Sequence, residues 1–226
     1  SGQIALVTGA SRGIGQAVAD ELVKCGAKVI GTATTADGAK AIDARLKPSG
    51  GAGLALNVTA PNACEEIIDQ IVKEFGGINI LVNNAGNQNR KSLVEMTPQE
   101  WQQLMNVHVN GAFNCTQTFL PDMVSHGFGR IVMMSSVSGQ ATMPLIAAYS
   151  TAKAATASMA RSIAVEYGAL GITANAIAPG FVKTDFTVGL QQREGFDAYL
   201  KQSVPAGRWA LPDDVARLTG PQRVPP

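Results

Sequence analysis

The sequence predicts an α/β fold, a single doubly wound domain around a parallel sheet, on three observations. Short runs rich in Val and Ile alternate with longer amphipathic stretches. The short runs are apolar almost throughout, as strands are when helices cover both faces, and that arrangement needs a parallel sheet with right-handed crossovers. The first strand also passes directly into a helix through a glycine-rich turn, Thr8-Gly9-Ala10-Ser11-Arg12-Gly13-Ile14-Gly15.

In chain order the pattern predicts a strand at Ile4–Thr8, a helix at Gly13–Cys25, a strand at Ala27–Thr32, a helix at Gly38–Leu46 and a strand at Gly53–Leu56. A helix at Pro61–Phe75, a strand at Ile78–Val82, a helix at Pro98–Leu120 and a strand at Arg130–Ser135 follow. A helix at Tyr149–Tyr167 and a strand at Ile172–Ile177 bring the totals to six strands and five or six helices. Pro61, Pro98 and Pro212 each stand near a helix start, where a missing N–H costs little. No linker, repeat or composition break divides residues 1–226, so one domain is expected. From Phe181 to Trp209 the rhythm fails, and this mixed polar and aromatic segment is expected to form a substrate flap, at about 181–209, over the C-terminal crest of the sheet. The Pro-rich run from Thr219 to Pro226 cannot be a central strand.

Composition narrows the function classes. Lys and Arg total 18 against 17 Asp and Glu, with no block of like charge, which argues against nucleic acid or a membrane surface as partner. Apolar stretches fall far short of the ~20 residues that span a bilayer, and the N-terminus lacks the layout of a signal peptide, so a cytoplasmic location is expected. Cys25, Cys64 and Cys115 lie too far apart for a metal knuckle or a disulfide framework; buried reduced thiols and no metal site are expected.

The glycine turn carries the first chemistry. Glycines let a backbone approach a pyrophosphate, and a helix N-terminus offers free N–H groups and a partial positive charge, so the turn predicts a Rossmann-type dinucleotide site. Such sites favour NAD when an acid ends the second strand, but here that strand ends in Gly31-Thr32-Ala33-Thr34-Thr35. Arg12 can pair with a 2′-phosphate and the Thr34 hydroxyl can donate to it, so NADP (NADPH) is the expected cofactor. Asn83-Asn84-Ala85-Gly86 closes the fourth strand, where side-chain amides can satisfy exposed strand-end groups and a small residue leaves room for an adenine, or where it forms only a turn. Ser136 ends the fifth strand, and Tyr149 and Lys153 share one face of the following helix. Alone, that pair would read as a surface pair. Beside an ammonium and an oxidised nicotinamide, however, a phenol is tuned for proton transfer.

Taken together, Thr8–Gly15, Asn83–Gly86, Ser136, Tyr149–Lys153 and Asn175-Ala176-Ile177-Ala178-Pro179-Gly180 resemble the short-chain dehydrogenase/reductase family in order and spacing, over residues 4 to about 218. Within it the chain is similar to bacterial 3-oxoacyl-acyl-carrier-protein reductases. The resemblance implies that Tyr149 gives a proton to a substrate carbonyl oxygen, that Ser136 hydrogen-bonds that oxygen, and that Lys153 lowers the Tyr149 pKa and holds the nicotinamide ribose. It implies cofactor contacts at Gly9, Ser11, Arg12, Gly13, Ile14, Thr34, Asn57, Val58, Asn84, Ala85, Gly86, Tyr149, Lys153, Pro179, Gly180, Val182 and Thr184. Asn57 would stand at the adenine end, and Val182 and Thr184 at the nicotinamide end. The implied reaction is NADPH-dependent reduction of a 3-oxoacyl thioester on an acyl carrier protein or coenzyme A, by a homotetramer or homodimer built on helices Pro98–Leu120 and Tyr149–Tyr167.

Two other readings stand beside it. Phe196-Asp197-Ala198-Tyr199-Leu200, leading to Pro205-Ala206-Gly207-Arg208-Trp209, resembles the flap of gluconate dehydrogenases and suggests a sugar-acid or polyol substrate. A catalytically weak nucleotide-binding protein is suggested by departures from the family pattern. His108 stands where the family carries a tetrad Asn that supports a water chain to the lysine; an imidazole can also hydrogen-bond a water, so the resemblance keeps His108 as a catalytic candidate, beside the plainer reading of a ring that fills space at a helix contact. The usual seventh strand also has no counterpart after Thr219-Gly220; a separate departure, Gly127 and Leu170 where carrier-using members often have basic residues, bears instead on whether an acidic carrier is used.

Overall fold

Strand β1 (Ile4–Val7) pairs on one side with β2 (Lys28–Ala33) and on the other with β4 (Ile80–Asn83) in a computed structural model that describes residues 2–60 and 62–220. With β3 (Ala52–Ala55), β5 (Gly129–Met134) and β6 (Ile172–Ile177) these form a six-stranded, fully parallel sheet in the order β3-β2-β1-β4-β5-β6. The order reverses between β1 and β4, and the crest above that switch point is where an open α/β sheet binds ligands.

Alternation along the strands feeds two cores. Leu6, Ile30, Leu81 and Ile131 face α3 (Ala63–Phe75), α5 (Gly111–Ser125) and α6 (Ala147–Tyr167) through Ile71, Phe119 and Ile163. Ala5, Val7, Val29 and Val82 face α1 (Gly13–Lys24) and α2 (Ala36–Leu46) through Val18, Leu22, Ile42 and Leu46. The continuous apolar character of the strands follows from this double burial.

Element boundaries moved where caps decide them. Helix α2 begins at Ala36, ahead of the expected Gly38, because Thr35 Oγ1 accepts the Gly38 N–H at 3.1 Å. Thr97 and Glu100 form a capping box that starts α4 (Pro98–Met105) with Pro98 in its first turn. The expected helix Pro98–Leu120 is two helices joined through a π turn at Asn106–Asn110, and α5 continues past Pro121 to Ser125 because Leu120 and Met123 are buried on its inner face. The expected start of α3 at Pro61 lies outside the described residues, as does the Pro-rich stretch from 221.

After β6, an isolated bridge between Val182 and Ala210 closes the base of the flap, which holds α7 (Val188–Gln191) and α8 (Phe196–Ser203). Phe181, Phe196, Tyr199 and Trp209 stack within it, and α9 (Pro212–Ala216) then packs on α1. One expectation is corrected: Cys64 and Cys115 are buried with Sγ atoms 3.3 Å apart, but Cys25 ends α1 exposed. Among the described residues no helix is long and apolar enough to cross a membrane, and no cluster of His, Cys, Asp and Glu could hold a metal.

Candidate active site

The glycine turn is built by close approach. Gly9 and Gly13 take φ of +67° and +57°, and a Cβ on Gly15 would lie 2.2 Å from the Gly9 carbonyl oxygen and 2.4 Å from Asn84 Nδ2. Helix α1 thus presses against the turn with no side-chain cap and no acid in its first turn, leaving its leading N–H groups open to an anion. This cradle fits a dinucleotide pyrophosphate. Ser11 and Arg12 are exposed beside it, and Ile14 packs toward the core.

Asn84 stands beside the glycine turn. Its amide donates to the Thr8 and Gly9 carbonyls at 2.9 and 3.1 Å, while Thr8 Oγ1 accepts from the N–H groups of Asn84 and Ala85, both at 3.0 Å. Asn84 therefore locks the glycine turn to β4 and shapes the cradle through it. Arg45, which no sequence pattern singles out, adds a second lock by donating to the Ala10 carbonyl at 2.9 Å while paired with Asp20.

At the adenine end, Thr34 is exposed after β2 with no carboxylate beside it before Asp37. Asn57 Oδ1 closes an Asx turn on the N–H of Thr59 at 3.1 Å, and Val58 is buried against Gly111, whose Cβ would lie 2.5 Å from a Val58 methyl. Gly86 lies against the His108 ring. At the other end, Pro179 accepts the Val137 N–H at 3.0 Å, Gly180 is exposed, Val182 is buried, and the Thr184 methyl lies 3.5 Å from the Cβ position of Gly13. The two halves of the expected cofactor set thus meet across the crest.

Ser136, Tyr149 and Lys153 come together above β5. Ser136 leads the short turn Val137–Gly139, its Oγ accepting the Ser138 N–H at 3.1 Å, and it stands on the Tyr149 side of the crest, where its hydroxyl acts to lower the phenol pKa. Ser135 Oγ donates to the Lys153 carbonyl at 2.7 Å and so pins α6 to the strand end. Lys153 is fully buried, donates to the Met134 carbonyl oxygen at 2.6 Å, and lies 5.5 Å from the Tyr149 ring centroid. Burial pulls its pKa down to about 7. Burial also raises the Tyr149 pKa above its ordinary 10, against the Ser136 hydrogen bond and the charge of Arg90. Without cofactor the phenol thus lies above its ordinary value, and the amine expected to lower it is itself close to losing its proton at neutral pH.

His108 sits on the π turn, buried, with its ring edge-on to Tyr149 at 5.5 Å. Its Nε2 lies 2.8 Å from the Asn87 carbonyl oxygen, and its Nδ1 is buried without a partner among the described residues. Burial and the Lys153 charge push its pKa to about 3, so the imidazole is neutral. Between His108, Lys153, Asn83 and Thr156 is a cavity of about 10 Å³, the scale of one water. Phe186 tilts over Tyr149 at 6.0 Å from the other side. Phe186 was not selected from the sequence, since it reaches the phenol from a segment remote in the chain.

A dinucleotide cradle and a Ser-Tyr-Lys group converging on one crest define an oxidoreductase that interconverts a carbonyl and an alcohol. The chain belongs to the short chain dehydrogenase family, whose model matches residues 3–195. It is 43% identical over 216 residues to the 3-oxoacyl-acyl-carrier-protein reductase of Haemophilus influenzae, covering 96% of this chain and 88% of that protein. It is 42% identical over 217 residues to the Escherichia coli K12 enzyme of the same name, covering 95% and 87%. Among solved structures it superposes on a gluconate 5-dehydrogenase from Burkholderia cenocepacia in complex with NADP and tartrate, with a TM-score of 0.92, 32% identity, and coverage of 97% of this chain and 87% of that one.

Proposed function

We propose that the protein is an NADPH-dependent reductase of 3-oxoacyl thioesters. The carrying observation is the 43% identity, along nearly the whole chain, to an enzyme named for that reaction. The β2 end without a carboxylate supports NADPH over NADH. NADPH oxidation with an acetoacetyl thioester should exceed that with gluconate-type substrates, and the reverse order would replace this reading with the sugar-acid one. That second reading draws on the flap aromatics and on structural likeness at 32% identity. It ranks lower because the 3-oxoacyl reductases are more alike in sequence.

When bound, the cofactor supplies hydride to the carbonyl carbon. The glycine turn and the first N–H groups of α1 would hold its pyrophosphate, Arg12 and Thr34 its 2′-phosphate, and Val182 and Thr184 would border its nicotinamide end. Ser136 orients the carbonyl oxygen by a hydrogen bond. Tyr149 then breaks its O–H bond and gives the proton to that oxygen, the phenol being protonated at neutral pH before the transfer. Lys153 stands below to replace the proton, and a water on His108 Nδ1 would link Lys153 to the interior.

Acyl-carrier-protein and coenzyme A thioesters both fall within the proposal, and rates on the two forms separate them. Arg130, donating to the Gly129 and Gly171 carbonyls and lying over Phe128 at 4.2 Å, is the cation nearest in the chain to Gly127 and adjoins the loop after Leu170. Copies would pair through the outward faces of α4–α5 and α6.

A further inference from the structure

Helices α3 and α5 meet through sulfur. Cys64 stands in the first turn of α3 and Cys115 one turn into α5, and their Sγ atoms lie 3.3 Å apart in the core although the residues are 51 positions apart in sequence. A disulfide bond is about 2.05 Å long, so roughly 1.2 Å of closure separates this contact from a covalent link. Cys25, the third thiol, ends α1 at the surface and takes no part in the pair. The pair lies outside the cofactor cradle and the Ser-Tyr-Lys group, and the reduction of a carbonyl does not use it.

The two thiols differ in what can reach them. Cys64 is 4% exposed, on a helix start whose neighbours Asn62, Glu65 and Glu66 all face solvent, whereas Cys115 is sealed at 0%. The partial positive charge of a helix start favours a thiolate there. The Cys115 thiol also draws the Cys64 pKa below its ordinary value, against burial and the charge of Glu65, while the same contact and burial push Cys115 up. Cys64 is therefore the thiol that meets a small oxidant first, and Cys115 stands behind it, as a resolving cysteine stands behind an attacking one.

We propose that Cys64 and Cys115 are a modification site for hydrogen peroxide, which joins them in a reversible disulfide that staples α3 to α5. The Cys64 sulfur attacks one peroxide oxygen, the O–O bond breaks, and the departing hydroxide leaves as water with the thiol proton, giving a sulfenic acid. The Cys115 sulfur then attacks the Cys64 sulfur, the S–O bond breaks, and the hydroxyl leaves as a second water with the Cys115 proton. Two thiols are oxidised by two electrons, and one peroxide is reduced to two waters. Because Cys115 is already in contact, the sulfenic acid is consumed before more oxygen adds. The closure falls on the first turn of α3, which follows a loop, while Cys115 is set within a helix. Asn114, beside Cys115, donates to the Val58 carbonyl at 3.2 Å, so the same turn of α5 already holds the segment that leads into α3.

The test exposes the wild type and Cys25→Ser to hydrogen peroxide, counts free thiols after denaturation, and searches by mass spectrometry for a peptide that links Cys64 to Cys115. In Cys25→Ser both remaining thiols should vanish together with the loss of two hydrogens, the linked peptide should appear, and dithiothreitol should restore both thiols. The thermal midpoint of the linked protein should rise by about 5 to 10 °C, the effect of closing a loop between residues 51 positions apart in the unfolded chain. With Cys115→Ser added, Cys64 should instead gain oxygen as a sulfinic or sulfonic acid, and the midpoint should not rise. With Cys64→Ser added, Cys115 should stay a thiol at the same dose. Persistence of both core thiols while Cys25 of the wild type oxidises, oxygen added to Cys64 with Cys115 present, or a lowered midpoint in the linked protein would each overturn the proposal. The linked peptide of the wild type needs no core substitution, and its absence overturns the proposal even if neither core variant folds.

Discussion

The Lys153 amine lies beneath the Tyr149 ring, 5.5 Å from its centroid, and donates to the Met134 carbonyl oxygen at 2.6 Å. Burial acts on the two groups in opposite directions, drawing the lysine down to about 7 and lifting the phenol above its ordinary 10. At neutral pH the tyrosine therefore holds its proton, the state a reduction needs before hydride arrives.

Replacing Tyr149 by Phe removes the hydroxyl and keeps the ring that packs against His108 and Phe186. We expect turnover to fall by at least ~100-fold, the contribution typical of a positioned proton donor, with the melting temperature and NADPH affinity nearly unchanged. A wild-type rate in this variant would remove Tyr149 from the proton-donating role.

Lys153→Met should act on stability with a definite pH dependence. Below pH 7 both folded and unfolded chains carry the ammonium, and its burial is a full cost. Between about 7 and 10.5 the folded form has lost the proton that the unfolded form keeps, so the cost shrinks as pH rises and is gone above 10.5. The cofactor-free variant should therefore be more stable than wild type by a few kcal/mol near pH 6 and by less near pH 9. Urea melts at the two pH values check the sign. Its kcat should fall and its NADPH dissociation constant rise, because one amine serves both the phenol and the ribose.

The strand and helix rhythm was legible because each strand is buried on two faces and each covering helix on one, and because Gly9, Gly13 and Gly15 stand where only glycine fits. Ser136, Tyr149 and Lys153 were legible because they lie on adjoining elements, β5 and α6, joined at the crest. The π turn at Asn106–Asn110 was not, since an extra residue in a helical turn leaves no mark in apolar spacing. The lock of Asn84 on Thr8 and Gly9 was not legible, because that pairing spans more than seventy residues. Phe186 meets Tyr149 only through tertiary placement of the segment after β6.

His108, held neutral with a pKa of about 3, cannot contribute a charged limb to the rate profile between pH 5 and 8. Its part would be to accept from a water at Nδ1. His108→Asn should keep kcat within about threefold, while His108→Leu should lose about 10- to 100-fold with no change in NADPH affinity. Equal rates in the two variants would reduce His108 to a packing residue.

Arg12→Ala should weaken NADPH by about 10- to 100-fold, the value of one charge-assisted bond, and leave NADH almost untouched because it has no 2′-phosphate. Arg12 caps α1 only through its backbone, which alanine retains. Dissociation constants for both cofactors decide it: equal losses would mean that the side chain supports the turn, and Thr34→Asp would then test the phosphate site separately by its shift toward NADH.

Assembly supplies the last test. Helix α5 buries Ala112, Cys115 and Phe119 inward yet leaves Phe113 49% exposed, and α6 buries Ala160 and Ile163 while Val165 is 85% exposed. Apolar side chains on the outward faces of the two longest helices fit pairing between copies, with the same patch meeting itself across a two-fold axis. A glutamate at Phe113 would bring two like charges together at such an axis, so Phe113→Glu should lower the mass measured by light scattering while the melting curve of the protomer stays cooperative. A wild type that is monomeric at every concentration would rule out pairing through these helices, and an unchanged mass in Phe113→Glu would move the interface to another face.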